Sequence, residues 1–481
     1  MKISSSRHEL KAAAATFAVN SVVGQAADFS MTGKMIERVI GDLRTTVILV
    51  THGDVKFCLA SSPFPIDARP ALRNATKRVL AEQLGLAQSD VVCASTHDHT
   101  VPQMRIGEAG PADPETNQLG KDYLAGLTAA ASGLGAKLTP VTVKWGVGQE
   151  SRFTYNRRGR RADGTSYFIR EEDRQLLGQD YVGEIDPDAP VVILADAAGR
   201  AIGAIVLFTG HPVTAYNPEV PMSFGQWPQV ACEKLAAYLA APVAFLQGCA
   251  GDINSKFMLT GTAEQAIQMG QQLGDTFIRA AQSAQPSQTN GLQWTRVTAP
   301  IPCAPLPSVE SLKASLAEID GFVKRAEAGD EDTMTCVGMN FPRALSPVYR
   351  ARLVGSVRPW YVWALSQHEA GKADQVAKAW PQEIVVVRLG DVGIVGFKFE
   401  AYVRTGLKLK REAPLPLVLT GCYMDGGEGY IPDAAACDDR EYQSGHFRYM
   451  GDRPPYQAPG GDAAATTAVE TFRKMLAAEP A

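Results

Sequence analysis

The chain has 481 residues, of which 45% are hydrophobic and 20% are charged, an ordinary composition for a folded protein with a sizeable core. Its formal net charge is −4, and no basic stripe runs along it, which argues against nucleic acid as a partner. Its longest apolar runs, such as Ala201–Phe208, fall far short of the ~20 residues that cross a bilayer, so we expect no membrane insertion.

The N-terminal segment Met1–Ala27 contains an alanine-rich stretch, but Glu9 and Lys11 lie close before a weak hydrophobic run that has no leucine core. This is not the pattern of a secretory signal peptide. The eight cysteines include no C-x-x-C pair and lie mostly among apolar residues, as reduced structural thiols do. We therefore expect a cytoplasmic protein and favour it over a secreted or periplasmic one.

Strand-like runs recur in pairs with short polar turns between them, which predicts hairpins. The pairs are Thr45–Val50 with Asp54–Ala60, Val191–Leu194 with Ile202–Phe208, and Ile384–Leu389 with Val392–Gly396. Apolar residues at spacings of three and four predict helices over Ala71–Leu84, Gln226–Leu239, Ala263–Ala281, Ser308–Ala328 and Glu400–Arg411. This mixture predicts an α/β fold, with a mixed sheet sandwiched by helices.

The chain shows no internal repeat and no low-complexity block. The residues that could carry chemistry are scattered from His97 to Tyr442, so they must converge within one continuous fold. We therefore predict a single catalytic domain over residues 1–481.

Histidines stand at the ends of two predicted strands. His97 and His99 follow Val91–Ala94, and in an extended segment residues i and i+2 point to the same side. His211 follows the strand Ala204–Thr209 and precedes Pro212, which ends the sheet ladder. Neutral imidazole is the commonest nitrogen ligand of zinc. Taken alone, however, the H-x-H pair fits a polar loop equally well, and His211 fits a loop residue better.

Two further segments have the same layout. Phe245–Asn254 is an apolar strand that runs into a glycine-rich turn with one acid, Asp252. Glu400 follows the strand Val392–Gly396 at the start of a predicted helix. A carboxylate there can bind a metal ion or cap the helix, and without context the cap is the better interpretation.

These segments resemble motifs of the neutral ceramidases and their shorter bacterial relatives, in order and in spacing. Ala94–Pro102 resembles the family's A-T-H-T-H-S-G-P motif, Phe208–Pro212 its F-A-T-H-P turn, and Gln247–Asp252 its Q-G-N-x-G-D loop. Tyr155–Arg157 is similar to its I-N-R segment, and Gly429–Pro432 to its late tyrosine segment. The resemblance reaches nearly the whole chain, and we expect a short relative that lacks the C-terminal immunoglobulin-like domain of the long members.

The resemblance implies a ceramidase-like zinc hydrolase with one Zn²⁺ held by His97, His211, Glu400 and Tyr430. It also implies active-site roles for four other residues. We expect His99 to pass a proton to the leaving nitrogen and Tyr442 or Arg157 to stabilise the developing oxyanion. We expect Asp252 to accept a hydrogen bond from His97 or His211.

The predicted reaction is hydrolysis of a C–N amide bond by a zinc-activated water. The alternatives are a ceramidase proper, an esterase or lactonase on the same site, a covalent hydrolase that uses a nucleophile near Gly248–Ser255, and a non-catalytic binding homologue. Thr100–Pro102 and Phe397–Glu400 depart from the family's motifs, and Arg157–Arg161 is rich in arginine. We therefore expect a small or medium soluble acyl amide or lactam as the substrate, in preference to ceramide.

Overall fold

The computed structural model describes residues 2–3, 8–160, 166–178, 181–433, 442–457 and 460–478. In chain order its strands are β1 Lys2–Ile3, β2 Leu10–Val19, β3 Arg38–Ile40, β4 Leu43–His52, β5 Val55–Ser62, β6 Val91–Ser95, β7 Thr139–Pro140, β8 Thr142–Gln149, β9 Thr154–Asn156, β10 Arg158–Arg160, β11 Ser166–Phe168, β12 Asp188–Ala195, β13 Ala201–Phe208, β14 Met222–Phe224, β15 Val243–Gln247, β16 Ile253–Ser255, β17 Gln285–Pro286, β18 Leu292–Pro302, β19 Thr335–Cys336, β20 Met339–Asn340, β21 Ala379–Leu389, β22 Val392–Phe397, β23 Glu400–Ala401, β24 Leu417–Gly421 and β25 Tyr430–Ile431. Its α-helices are α1 Pro70–Leu84, α2 Gln118–Ala131, α3 Glu171–Leu177, α4 Gln226–Leu239, α5 Ala263–Gln282, α6 Val309–Glu327, α7 Pro347–Gly355, α8 Arg358–Glu369, α9 Val403–Glu412 and α10 Gly460–Ala477.

The longer strands form three five-stranded sheets that share one internal plan. Their strand orders are β6-β5-β4-β2-β7, β15-β13-β12-β8-β17 and β24-β22-β21-β18-β1. In each sheet a long strand pairs antiparallel with a hairpin, and a helix then leads to a fourth strand parallel to the hairpin's second strand. These fourth strands, β6, β15 and β24, are buried along their whole length, as parallel strands are.

This structural repeat was not predicted, because the sequence shows none. The fourth strands read VVCAS, VAFLQ and LVLTG, so what the three units share is the pattern of buried faces and not the side chains themselves. Each fourth strand is followed by a second long helix, α2, α5 or α10. The edge strand of the third unit, β1, comes from the N-terminus of the chain.

The three sheets pack their inner faces against one another. Side chains such as Ile48, Leu207 and Ile394, one from each sheet, belong to one shared buried cluster. The outer faces pack against helices, for example through Tyr123 of α2 and Phe277 of α5. The predicted α/β class with mixed sheets is confirmed, and the helices cover the outer face of each of three sheets.

The three predicted hairpins form as β4 with β5, β12 with β13, and β21 with β22, all antiparallel. Four of the five predicted helices match α1, α4, α5 and α6. The fifth prediction was wrong at its start, because Glu400 lies in the short strand β23 and α9 begins only after Tyr402. Glu400 is therefore not a helix cap. Among the described residues, no helix combines the length and the apolar character needed to cross a bilayer.

Candidate active site

The candidate site lies where the carboxyl ends of strands from all three sheets meet. His97 follows β6 of the first sheet, His211 follows β13 of the second and Glu400 follows β22 of the third. Ligand sites of α/β sheets commonly lie at the carboxyl ends of strands, in the crevice beyond them. The arrangement brings together residues that are about 300 positions apart in the sequence.

His97 and His99 face the same point, but not for the predicted reason. The strand ends at Ser95, and His97 adopts a left-handed backbone conformation with φ of 60°, which is uncommon for a non-glycine residue. The carboxylate of Asp98 accepts hydrogen bonds from the backbone N–H and the hydroxyl of Thr100, and so holds the turn. The result places the Nε2 atoms of the two histidines 3.1 Å apart.

His211 is fixed by the loop that follows β15. Its backbone N–H donates to the carbonyl of Ile253 at 2.9 Å, and its Nδ1 lies 3.0 Å from the same oxygen. An Nδ1–H that donates there leaves the lone pair of Nε2 directed into the site, as is usual for a metal-binding histidine. The Nε2 atom of His211 lies 3.2 Å from Oε2 of Glu400.

Glu400 is held by backbone pairing and by a tyrosine that the sequence analysis missed. Its backbone N–H donates to the carbonyl of Gly429, which sets β23 beside β25. The hydroxyl of Tyr423 donates to Oε2 of Glu400 at 3.1 Å, and the Tyr423 ring stacks on His97 at 4.0 Å between centroids. Tyr423 follows the end of β24, so the same strand-end pattern that drew attention to the histidines could have found it.

Tyr430 lies beside Glu400 and is held in place by Arg157. Tyr430 is paired with Glu400 in the short parallel ladder, and its hydroxyl accepts a hydrogen bond from Nη2 of Arg157 at 3.0 Å. The buried Arg157 also donates to the carbonyl of Gly251 and to Oδ1 of Asn254. Arg157 therefore ties the tyrosine to the glycine-rich loop.

These residues line a cavity of about 480 Å³. Tyr442 lies on its wall, with its ring centroid 5.8 Å from that of Tyr430. His446, which was also missed, packs its ring against Tyr430 at 4.9 Å, and burial lowers its pKa to about 4. Thr100–Pro102, which depart from the family's motif, do not line the cavity, because Thr100 turns inward to Asp98 and to the carbonyl of Phe224.

The predicted contact between Asp252 and a histidine does not form. One oxygen of its carboxylate accepts the backbone N–H of Val403 at 2.7 Å, and the other accepts Nδ2 of Asn156 at 3.1 Å. The orienting role expected of Asp252 belongs to the carbonyl of the next residue, Ile253. Asp252 instead holds the start of α9, three residues after Glu400.

Two other sequence hypotheses change in the structure. In the arginine-rich segment, Arg157 lines the cavity, whereas the guanidinium of Arg158 stacks on Tyr402. The side chain of Arg160 and all of Arg161 lie outside the described residues. Ser255, the candidate nucleophile of a covalent hydrolase, is fully buried, and its hydroxyl accepts a hydrogen bond from Thr214. It does not line the cavity.

All described cysteines are free thiols, and Cys437 lies outside the described residues.

The donor set fits a metal ion. Ligand nitrogens of His97, His99 and His211 lie within 4.8 Å of one another, and Oε2 of Glu400 lies 3.8 Å from Nε2 of His97. Burial holds the pKa of each of these histidines well below its usual value, so that neutral imidazoles present their lone pairs. Three imidazoles and a carboxylate around one point suit zinc. His99, expected to carry a proton, therefore lies within the same group as the expected ligands.

The fold and the site together define a class of protein: an α/β protein with a histidine–carboxylate centre at the ends of its strands. The fold is that of the ceramidases. A ceramidase complexed with C2 superposes with a TM-score of 0.65 at 15% identity, over 98% of this chain and 76% of that one. The neutral ceramidase from Pseudomonas aeruginosa superposes with a TM-score of 0.61 at 15% identity and the same coverage. No family model matches the sequence, and neither does any curated protein.

Proposed function

We propose that this protein is a zinc-dependent hydrolase that cleaves the C–N bond of an N-acyl amide or lactam. The observation that carries the proposal is the convergence of His97, His99, His211 and Glu400 on one point in the wall of a cavity. The ceramidase fold around this point supports amide hydrolysis as the reaction, since ceramide is itself an N-acyl amide. The reaction class is therefore inferred from the ceramidase fold, and the kind of substrate is inferred from the cavity of this chain.

His97, His211 and Glu400 would hold the zinc ion, with the Tyr430 hydroxyl beside them as the fourth ligand. When bound, zinc supplies a Lewis acid that polarises the amide carbonyl and lowers the pKa of a water molecule towards ~7. The carbonyl of Ile253 keeps the His211 ring in one orientation, and the hydroxyl of Tyr423 does the same for the Glu400 carboxylate.

The other cavity groups would act on the substrate. The phenol of Tyr442 is a neutral donor for the oxygen that becomes negative as the carbonyl is attacked. Arg157 adds a buried positive charge next to Tyr430. His99 stands beside His97 with its ring packed on Phe29, and a neutral imidazole there can accept a proton from the attacking water and pass it to the leaving nitrogen.

The size of the cavity supports a small or medium substrate. Its volume of about 480 Å³ lies in the range of about 300–1,000 Å³ that is usual for small-molecule sites. The buried position of Ser255 argues against a covalent mechanism on this residue, because its hydroxyl does not reach the cavity. An ester or a lactone could use the same centre, so the linkage itself must be measured.

The test is a panel of substrates on purified protein whose metal content has been determined. The panel contains short N-acyl amides, N-acyl amino acids, lactams, the matched esters and lactones, and a detergent-dispersed long-chain ceramide. We expect about one zinc per chain and a higher kcat/KM on short amides than on ceramide. A preference for ceramide by orders of magnitude would assign the protein to the ceramidases proper, preference for esters would change the reaction class, and binding without turnover would make it a non-catalytic homologue.

A further inference from the structure

The residues that line the cavity include an apolar group, the apolar wall, and a charged group, the polar end. Its apolar wall is formed by Met31, Val213, Leu259, Phe341, Leu345 and Leu353. Its polar end is formed by Asp28, Asp67, Arg69, Lys398 and Glu428. The segments that carry Asp67 and Glu428 are in contact, since a Cβ added to Gly427 would lie 2.6 Å from Cβ of Ala68. A bound substrate therefore meets both an apolar surface and charged groups.

Most charges at the polar end are already balanced. The ion pairs are Asp28 with Arg69 at 2.5 Å, Lys398 with Glu383 at 3.1 Å, and Glu428 with Arg453 at 3.1 Å. Ion pairs of this kind leave little charge for a ligand to satisfy.

Asp67 differs from its neighbours at this end. It follows β5 and is only 2% exposed, yet it lines the cavity. Among the described residues, no side chain forms a hydrogen bond or ion pair with its carboxylate, whose donors are the backbone N–H groups of Ala68 and of Asp67 itself. The nearby guanidinium of Arg73 donates to the backbone carbonyl of Asp67 and not to the carboxylate.

A carboxylate in this position is costly without a partner. Burying a charge without pairing it costs several kcal/mol, which a ligand donor can offset. Burial raises the pKa of Asp67 well above its usual value, and the charge of Glu400 raises it further, so the group favours its neutral form until a cationic donor such as an ammonium group stabilises the carboxylate. Asp67 also lies in the segment that follows the third strand of its sheet. His211 and Glu400 lie in the corresponding segments of the other two sheets.

We propose that Asp67 is a specificity-determining residue that binds a hydrogen-bond donor, an ammonium or a hydroxyl group, on the amine portion of the substrate. This inference rests on the proposed amidase function. The apolar wall takes the acyl group, because apolar surface is buried there without loss of hydrogen bonds. The amine portion then extends to the polar end, where the carboxylate of Asp67 is the group left to be satisfied.

The test uses amides that share one acyl group and differ only in the amine. The amides are N-(2-aminoethyl)octanamide, N-(2-hydroxyethyl)octanamide and N-propyloctanamide, so that ammonium, hydroxyl and methyl groups occupy the same position. We expect the wild type to favour the two donor-bearing amides by about 10- to 100-fold in kcat/KM, the range of a hydrogen bond to a charged group. Equal rates on all of them would overturn the proposal.

Two substitutions separate recognition from folding. Asp67→Asn keeps the shape and an acceptor oxygen, so it should abolish the preference for the ammonium amide while leaving part of the preference for the hydroxyl amide. Asp67→Ala should abolish both. A purely structural defect would lower the rates on all the amides by the same factor and leave their ratios unchanged, which would contradict the assignment. Asp122→Asn, at an exposed position of α2 outside the cavity, is the control and should leave the ratios unchanged.

A failure of the proposed function remains distinguishable from a failure of this inference. If the wild type hydrolyses none of the amides, the proposed reaction is wrong, but calorimetry with the same intact amides still measures their binding. Tighter binding of the donor-bearing amides, lost in Asp67→Ala, would support the role of Asp67. Equal affinities would overturn it.

Discussion

His97 and His211 reach the site from different sheets, and neither belongs to a hydrophobic core cluster. His97 ends a strained turn, and His211 is anchored by the carbonyl of Ile253. We expect His97→Ala and His211→Ala each to lose the metal and more than the ~10–100-fold in activity that is typical of outer partners, while the circular dichroism spectrum stays the same.

A histidine outside the cavity provides the control for these variants. His368 on α8 contacts the carbonyl of Pro307, and His368→Ala should keep both metal and activity. Full metal occupancy in either His97→Ala or His211→Ala would remove that residue from the ligand set.

Ser255 and Asn254 test the choice between a metal-activated water and a covalent nucleophile. The Ser255 hydroxyl is used by Thr214, and Asn254 holds Arg157 through Oδ1. We expect Ser255→Ala and Asn254→Ala to retain substantial turnover, with the larger loss in Asn254→Ala because Arg157 loses a partner. Mass spectrometry after a rapid quench would contradict this if it detected an acyl group on Ser255.

Asp252 acts on the start of α9 and not on the histidines. Its carboxylate accepts the backbone N–H of Val403 and the side chain of Asn156. We expect Asp252→Ala to lower the free energy of unfolding by about 1–3 kcal/mol, the cost of leaving a buried donor unsatisfied, and to keep about one metal per chain. Denaturant unfolding and elemental analysis of the same sample measure both. Loss of the metal from a protein of unchanged stability would restore the role first expected of Asp252.

At the scale of elements, the loop after β15 approaches β23 so closely that only glycine fits. A Cβ on Gly251 would lie 2.5 Å from the carbonyl oxygen of Glu400 and 2.9 Å from Cδ1 of Tyr402. We expect Gly251→Ala to displace Glu400 and to weaken metal binding by about 10–100-fold, as loss of a supporting contact does. Competition with a chromogenic chelator measures this affinity.

Gly321 of α6 is the matched control, because nothing lies within 4 Å of the position that its Cβ would take. Gly321→Ala should leave the metal affinity unchanged and raise the stability by about 0.5–1 kcal/mol, since alanine is the better helix former. An unchanged metal affinity in Gly251→Ala would show that the loop and β23 do not depend on each other.

Elements with regular apolar periodicity could be predicted from the sequence, and elements set by tertiary contacts could not. The hairpin of β4 and β5 and the helix α4 were predicted because their residues alternate or repeat in one register. The start of α9 was misplaced because the N–H of Val403 is satisfied by Asp252, which is 151 residues away in the sequence. No local pattern carries that information.

The candidate site could be predicted only in part, because some of its residues are positioned by tertiary contacts. His97, His211 and Glu400 stand at strand ends and resemble family motifs, so their convergence could be expected. Tyr423 and Asp67 stand at strand ends as well, but neither lies in a motif, and their positions depend on how three sheets pack together. The left-handed turn at His97 also could not be predicted, because it is held by the contacts of Asp98.

At the scale of the whole molecule, the three similar sheets explain how distant residues form one centre. Each sheet ends its third and fourth strands at the same place, and the shared core fixes the sheets relative to one another. This arrangement agrees with the proposal that residues 1–481 form one catalytic unit. That unit needs no contribution from a second chain to complete the cluster of His97, His99, His211 and Glu400.

We propose that one zinc ion held by His97, His211, Glu400 and Tyr430 makes the protein an amide hydrolase, and a zinc titration of the metal-free protein provides the test. Protein stripped by a chelator is titrated with zinc while the hydrolysis of a short N-acyl amide is followed. We predict that activity is absent without metal, rises linearly and reaches its maximum at about one zinc per chain, as a mononuclear site requires. Full activity in the metal-free protein, or a maximum only at two zinc ions per chain, would contradict the proposal of a single catalytic zinc ion.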